Sequence, residues 1–158
     1  MMRTFLTAAT SAAVIILSPP VFAQKAAHGT AAEARAMLMK AVAAVKKDKT
    51  QALEMFNSGQ GGFLDRDLYV FCFNTRDGKI VATGNQNAKF VGQDIRSLKD
   101  PAGKTFGQDL YAAGQKAEGQ ITEVDYVFVR PGPDKTPAPK VSSVTRVGDI
   151  ACGVGYYK

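Results

Sequence analysis

The spacing of apolar residues changes along the chain from that of a helix to that of β-strands. From Thr30 onward, apolar side chains recur every three or four positions, which predicts a helix that ends near Lys47. Glu33 follows Thr30 at the spacing of a capping box, which satisfies backbone N–H groups at a helix start. Thr50 is expected to cap one or two further turns. The glycine-rich stretch 58–62 ends this helical part of the chain.

The rest of the chain predicts five strands and several short helical turns. Residues 68–73 are all apolar or aromatic, so the first strand is expected to be covered on both faces. Asp77-Gly78 supplies the positive φ angles that a short hairpin turn requires. A loop with short turns is expected over 85–103, and another short helix near Phe106. The strands are predicted at 67–74, 79–84, 121–130, 139–147 and 150–157.

The order of these strands follows from their connections. Hairpins hold the first two strands together and the last three together. The first and last strands are the most apolar, so we expect them to be central and adjacent. The predicted fold class is therefore α+β: a five-stranded antiparallel sheet of order 2-1-5-4-3, with the long N-terminal helix on one face.

Residues 1–23 have the pattern of a secretory signal peptide. Arg3 gives a positive start, residues 12–17 an apolar middle, and Val21-Phe22-Ala23 an end that resembles a cleavage site. The apolar run is shorter than the ~20 residues that a membrane-spanning helix needs. An uncleaved anchor is the alternative. We expect a periplasmic or secreted protein with one domain, 24–158.

The net charge of +6 does not by itself indicate a nucleic-acid partner. Basic residues are scattered, and Lys46, Lys47 and Lys49 form the one cluster. This cluster lies where the first helix ends, and cations are favourable there because of the helix dipole. We therefore interpret this cluster as the solvated end of a helix and not as a nucleic-acid-binding patch. The expected export of the protein is a second argument against a nucleic-acid partner.

The residues that common catalytic sites require are missing from the sequence. His28 is the one histidine and precedes the first helix, so a Ser-His-Asp or Cys-His arrangement is not expected. Asp65 and Asp67 flank Arg66, which is typical of a charged strand start. The glycines at 59–62 precede a strand, whereas a phosphate loop lies between a strand and a helix. We predict neither an enzyme, nor a metal site, nor a cofactor.

Two cysteines, Cys72 and Cys152, lie on the first and last predicted strands. Neither stands in a zinc or haem motif. Because the protein is expected to be exported and these strands are expected to be neighbours, we predict that the two cysteines form a disulfide. The alternative is two buried free thiols, which would leave a redox role open.

Two strand faces combine aromatic walls with hydroxyls and cations. Alternation places Tyr126 and Phe128 on one face of the third strand, and Lys140, Ser142 and Arg146 on one face of the fourth. If the hairpin brings these faces together, a small anion would find a bidentate partner in Arg146 and a point charge in Lys140. The alternatives are that Lys140 is solvated at the strand end and that Tyr126 is a plain core aromatic residue.

Five fragments stand in a characteristic order and spacing along the chain: DRDLYVFCFN, DGKIVAT, FVGQDIRSLKDPAGKTF, EVDYVFV and KVSSVTRVGDIACGVGYYK. With them the chain resembles a single Cache domain of the second type, the extracytoplasmic relative of the PAS fold. The resemblance covers nearly all of residues 30–158. It implies a long helix on one face of the sheet and, on the other, a ligand pocket beneath the irregular middle segment.

The resemblance also implies which residues line the pocket. It suggests Tyr69, although alternation alone leaves open whether Tyr69 and Phe71 or Val70 and Cys72 face the ligand. Asn85 stands where many relatives have a histidine, which is a departure from the family. With the two faces above, the expected ligand-binding set is Tyr69, Phe71, Asn85, Phe90, Lys99, Tyr126, Phe128, Lys140, Ser142 and Arg146.

The function that these residues favour is the sensing of a small molecule outside the cytoplasm. The ligand is expected to be a short organic acid, such as a monocarboxylate. We expect a module without its own output domain, which reports to a membrane receptor or kinase. The alternative is a structural or protein-interaction domain whose vestigial pocket is filled by its own side chains.

Overall fold

Two consecutive helices form one layer of the structure, a computed structural model that describes residues 26–158. Helix α1 spans Ala31–Lys47 and α2 spans Lys49–Ser58. The capping box at the start of α1 is confirmed, since the Thr30 hydroxyl accepts a hydrogen bond from the Glu33 N–H at 3.2 Å. The predicted signal peptide, residues 1–23, lies outside the described residues.

The cap expected at Thr50 is wrong. Asp48 is the N-cap of α2, and its carboxylate accepts a hydrogen bond from the Gln51 N–H at 3.0 Å. Because Asp48 alone separates α1 from α2, which begins at Lys49, Thr50 already lies inside the second helix. Asp48 therefore ends α1 and begins α2.

The second layer is an antiparallel sheet. Its strands are β1 (Leu64–Asp65), β2 (Leu68–Asn74), β3 (Ile80–Thr83), β4 (Thr122–Val129), β5 (Pro137–Val147) and β6 (Ile150–Tyr157). The five longer strands pair in the order β3-β2-β6-β5-β4, which is the predicted order 2-1-5-4-3. The short strand β1 was not predicted from the sequence and pairs with the start of β2.

The segment between β3 and β4 forms the third layer. It contains two 3-10 turns, Asn85–Phe90 and Ile95–Ser97, and then helix α3, Phe106–Gly114. Helix α3 packs closely on the second turn because residue 107 is a glycine. A Cβ atom at Gly107 would lie 1.8 Å from the carbonyl oxygen of Ile95.

Strand β2 divides its side chains between two cores. Leu68, Val70 and Cys72 pack with α1 and α2 in one core. Phe71 and Phe73 pack with α3 and the 3-10 turns in the other. Both faces of β2 are therefore covered, as its continuous apolar run predicts. The same division places Tyr69 and Phe71 on the face opposite the long helix.

The predicted disulfide is present. Cys72 and Cys152 lie directly opposite each other on β2 and β6, with their Cα atoms 4.1 Å apart. Both residues are fully buried in the core beneath the helices. The bond joins the two central strands of the sheet.

The hairpin between β2 and β3 differs in detail from the sequence prediction. Only Gly78 of the Asp77-Gly78 pair has a positive φ, of 77°. A bulge also shifts the pairing of β2 with β3 next to Cys72. As a result Ile80 and Thr83 both face the second core, and strict alternation is lost within β3.

No helix within residues 26–158 is long and apolar enough to cross a membrane.

Candidate ligand-binding site

A small cavity lies between the sheet and the layer formed by the 3-10 turns and α3. Its volume is about 40 Å³, which is room for a few water molecules or a ligand of a few heavy atoms. Its wall is largely apolar, with a few hydroxyl and amide groups. The residues that line it are Tyr69, Phe71, Ile80, Thr83, Asn87, Phe90, Ile95, Leu98, Phe106, Leu110, Tyr126 and Phe128.

Stacked aromatic rings form one wall of this cavity. The ring of Phe106 on α3 lies parallel to that of Tyr126 on β4, with 4.3 Å between the centroids. Phe128 meets both rings edge-on, at 5.8 Å and 6.2 Å. Phe90 from the first 3-10 turn lies 6.4 Å from Phe128. These contacts fix the ring positions, so the wall is held by packing between three elements.

Lys140 lies behind this wall and is almost completely buried, with an exposed fraction of 1%. Its side chain crosses β6 where residue 155 is a glycine. A Cβ atom at Gly155 would lie 2.4 Å from the Lys140 Cε atom. The ammonium thereby reaches β2, where it donates a hydrogen bond to the Tyr69 hydroxyl at 3.0 Å.

Three aromatic rings from three different strands surround this ammonium group. The Lys140 Nζ atom lies 4.4 Å from the ring centroid of Tyr69, 4.7 Å from that of Tyr157 and 5.3 Å from that of Phe128. These distances allow cation–π attraction. Lys140 forms no salt bridge with any carboxylate of residues 26–158, and Tyr69 is its one hydrogen-bond acceptor there. Two of its three N–H donors therefore have no acceptor in the described part of the chain.

Burial favours the uncharged forms of Lys140, Tyr69 and Tyr126. It lowers the pKa of Lys140, and the nearby Tyr126 and Asp67 oppose that shift only in part. Burial also raises the pKa of Tyr69 and of Tyr126, so both phenols stay neutral and can donate hydrogen bonds. A buried amine and two neutral phenols thus lie together beside the cavity.

Hydrogen bonds hold the other polar groups of the site in place. The hydroxyls of Tyr126 and Ser142 are 2.8 Å apart, and Ser142 is fully buried beneath the cavity wall. Asn87, from the first 3-10 turn, lines the cavity together with Tyr69 and acts against the effect of burial on the pKa of Tyr69. Tyr69 therefore connects the cavity, the turn above it and the Lys140 ammonium.

Of the residues expected at the site, the structure brings most together at this cavity. Tyr69, Phe71, Phe90, Tyr126 and Phe128 line it directly. Lys140 and Ser142 lie immediately behind Tyr69 and Tyr126. Asn85 begins the first 3-10 turn, and its side chain lies outside the described part of the structure.

Arg146 was expected to join Lys140 around one anion, and this is wrong. The two residues share a face of β5 but are six positions apart, which is about 20 Å along a strand. Arg146 lies beside the β5–β6 turn, where its Nε atom donates to the carbonyl oxygen of Gly148 at 2.9 Å. Alternation gave the correct face, but it does not limit how far apart two residues on that face lie.

Lys99 was included in the expected ligand-binding set, but it does not line the cavity. It is exposed, whereas its neighbour Leu98 points inward and forms part of the wall. The second 3-10 turn ends at this point, so consecutive side chains point in different directions.

Thr83 and Asn87 are the polar cavity residues that the sequence analysis missed. Thr83 faces the cavity because of the bulge in β3, which strict alternation cannot reveal. Asn87 belongs to a 3-10 turn that has no clear apolar period. For the apolar wall a signal did exist, since Phe106 and Leu110 are four positions apart on α3 and so share one helix face.

The model of the family described as single Cache domain 2 matches residues 21–155. The chain belongs to this family. Cache domains are extracytoplasmic modules that bind small ligands, and the position of the cavity on the face away from the long helix agrees with the resemblance stated above. The search of curated proteins gives no match for this Cache domain.

Several solved structures share the fold of this Cache domain. A methyl-accepting chemotaxis protein from Vibrio parahaemolyticus RIMD 2210633 is 23% identical, with a TM-score of 0.61 over 80% of this chain and 86% of that one. A periplasmic sensor domain of a chemotaxis protein is 23% identical, with a TM-score of 0.58 over 80% and 88%. A third structure, 23% identical, has a TM-score of 0.56 over 80% and 86%, and its description concerns carboxylic acid recognition by a Cache chemosensory domain.

Proposed function

We propose that this Cache domain binds a small monocarboxylate in the cavity beside Tyr69, and that it is a sensor rather than an enzyme. The observation that carries the proposal is the buried Lys140 ammonium, which has free N–H donors and no carboxylate partner within residues 26–158. A buried cation of this kind is costly unless a ligand or a neighbouring group neutralises it. The carboxylic acid recognition described for a structural relative supports the same class of ligand.

The carboxylate group would lie at the polar end of the cavity and the carbon chain at the aromatic end. Tyr69 and Asn87 at that end can donate hydrogen bonds, and Lys140 supplies the positive charge. The rings of Phe90, Phe106 and Phe128 would contact the methyl or methylene groups of the acid. Hydrogen bonds to a charged group are strengthened in such apolar surroundings. The set proposed for the ligand therefore keeps Lys140 and leaves out Arg146 and Lys99.

The size of the cavity favours very short acids and also supports a second candidate function. About 40 Å³ of free volume suits acids of a few carbon atoms, because larger ones would have to displace aromatic side chains. The same small volume would be found in a structural domain whose pocket is filled by its own side chains. A ligand series that varies size and charge separately distinguishes the two functions.

Acetate and propionate are expected to stabilise the protein against heat, and acetamide and benzoate are not. At about 100 times the dissociation constant, a ligand adds about 2.7 kcal/mol of stability, which is roughly 10 °C in melting temperature for a domain of this size. Acetamide has the size of acetate without its charge, and benzoate has the charge with a ring that the cavity cannot hold. Differential scanning fluorimetry at constant ionic strength measures all four. Equal melting temperatures with and without acetate and propionate would favour the structural function.

We further propose that residues 1–23 direct export and are removed after Ala23. The amino-terminal sequence pattern supports this, as does the extracytoplasmic location of the family. Mass spectrometry of the exported protein is expected to show a chain that begins at Gln24. An intact amino terminus in the membrane fraction would contradict cleavage and support an anchor.

The bound domain would report to a membrane receptor or kinase. The structural similarity to sensor domains of chemotaxis proteins supports this part of the proposal. Crosslinking in cells should capture a membrane protein whose yield changes when acetate is added. A yield that is the same with and without the acid would argue against such a partner.

A further inference from the structure

The Lys140 site lacks the neutralising group that a permanently charged lysine would need. The side chain is 1% exposed, so water does not solvate the ammonium. One hydroxyl and three ring faces contact it, and no carboxylate of residues 26–158 forms an ion pair with it. Burying an uncharged amine costs less free energy, because it has no charge to desolvate.

We infer, on the basis of the proposed function, that a carboxylic acid enters this site as an anion together with a proton that Lys140 takes up. In the ligand-free protein the amine holds its proton weakly. The bound carboxylate places a negative charge beside Lys140 Nζ and so favours the ammonium form. The ammonium and the carboxylate then form an ion pair whose net charge is zero.

The other ionisable groups around Lys140 do not supply this charge. Tyr69 on β2, Tyr126 on β4 and Tyr157 on β6 all have raised pKa values, so they stay neutral. Arg130, which directly follows β4, is a second cation and lies over the Tyr157 ring, with its Cζ atom 5.1 Å from the centroid. Asp67 is the one acidic group close enough to affect Lys140 among the described residues.

Asp67 is already occupied by the segment before α1. Its Oδ1 atom accepts a hydrogen bond from the Gly29 N–H at 2.7 Å, and its Oδ2 atom lies 3.2 Å from the Nδ1 atom of His28. Its negative charge therefore acts on Lys140 from a distance, without a direct contact. No carboxylate of residues 26–158 therefore lies directly beside Nζ, and Tyr69, which accepts the Lys140 hydrogen bond, lines the cavity.

The direction of the pH effect follows from this coupling. Between the lowered pKa of Lys140 in the free protein and its higher pKa in the complex, binding takes up about one proton per acid. Within that interval the affinity falls about tenfold for each unit that the pH rises. Below it the lysine is charged already, and the affinity becomes independent of pH as long as the acid itself is ionised.

Isothermal titration of acetate in buffers of different ionisation enthalpy measures this proton directly. The observed binding enthalpy should vary linearly with the buffer enthalpy, with a slope of up to about one proton. His28→Gln removes the one histidine of the chain, so a slope that persists in this variant does not come from an imidazole. Lys140→Arg keeps a charge that cannot be lost, and should bind with a slope of zero.

A second measurement covers the case in which arginine does not fit the site. In protein labelled with ¹³C at lysine Cε, the signal that is missing from the Lys140→Met variant is that of Lys140. It should titrate at lower pH than the signals of exposed lysines, and saturating acetate should move it upward. Acetate binding with the same enthalpy in all buffers, or a Lys140 signal that titrates with the exposed lysines, would overturn the coupling alone. If no acid binds at all, the proposed function fails and the coupling fails with it.

Discussion

Replacing Lys140 with methionine is expected to weaken the binding of acetate and propionate strongly and to stabilise the ligand-free protein. The loss of a buried charged partner should weaken binding by about ten- to a hundredfold, since hydrogen bonds to charged groups contribute about 1.5–3 kcal/mol each. Methionine has a similar length and no charge, so the cost of burying an amine disappears. Replacing buried charges by apolar groups often adds about 1 kcal/mol or more of stability.

The gain in stability should depend on pH. Because the pKa of Lys140 is lowered on folding, the unfolded chain binds more protons between the lowered value and the ordinary lysine value. The free energy of unfolding of the parent protein therefore rises as the pH rises through that interval. Urea denaturation at about pH 6 and about pH 9 should show a larger advantage of Lys140→Met at the lower pH.

Arg146→Met is the matched control for this experiment. It removes a cation from the same face of the same strand, at the end away from the cavity. It should leave acid binding unchanged and lack the pH-dependent gain in stability. Retained acetate binding in Lys140→Met, or an equal loss of binding in Arg146→Met, would show that the assignment of the site is wrong.

Removing the disulfide is expected to cause the largest loss of stability in this protein. Cys72 and Cys152 close a loop with a sequence separation of 80, and in the chain-entropy model such a bond contributes about 4 kcal/mol. The bond joins β2 and β6, the two central strands of the sheet. The helical layers on both faces of the sheet pack against these two strands. The double variant Cys72→Ala/Cys152→Ala should therefore unfold at a much lower urea concentration than the parent.

A reductant provides the control for this measurement. Dithiothreitol should destabilise the parent protein and have no effect on the double alanine variant, which contains no cysteine. Small cavities left by the sulfur atoms would lower the stability of the variant further, because both sulfurs are fully buried. Equal unfolding midpoints for the parent in the presence and absence of reductant would contradict a stabilising role of the bond.

Local patterns in the sequence were sufficient for most of the fold. The capping box at Thr30 and the apolar period after it define α1, because both depend on residues three or four positions apart. The strand order followed from short hairpins and from the two most apolar strands. Thr50 was the wrong cap for α2, because Asp48, two positions earlier, offers an equally suitable side chain.

The candidate site was only partly predictable from the same patterns. Alternation and the family resemblance gave Tyr69, Tyr126 and Phe128, since residues on one face of a strand are fixed by a period of two. They also placed Arg146 with Lys140, because alternation carries no information on distance along the strand. Thr83 was missed, because a bulge changes the face of a residue without a sequence signal of its own.

The sequence by itself determined most of the elements, the order of the five longer strands, the disulfide pair and the family, because each depends on local periods or on the order of motifs along the chain. Only the tertiary structure decided which of the expected cations lies beside the cavity. Lys140 reaches Tyr69 because Gly155 leaves space on the strand between them, and the surrounding rings come from β2, β4 and β6. Desolvation depends on packing in three dimensions, so the shifted proton equilibrium of Lys140 cannot be read from its neighbours in sequence.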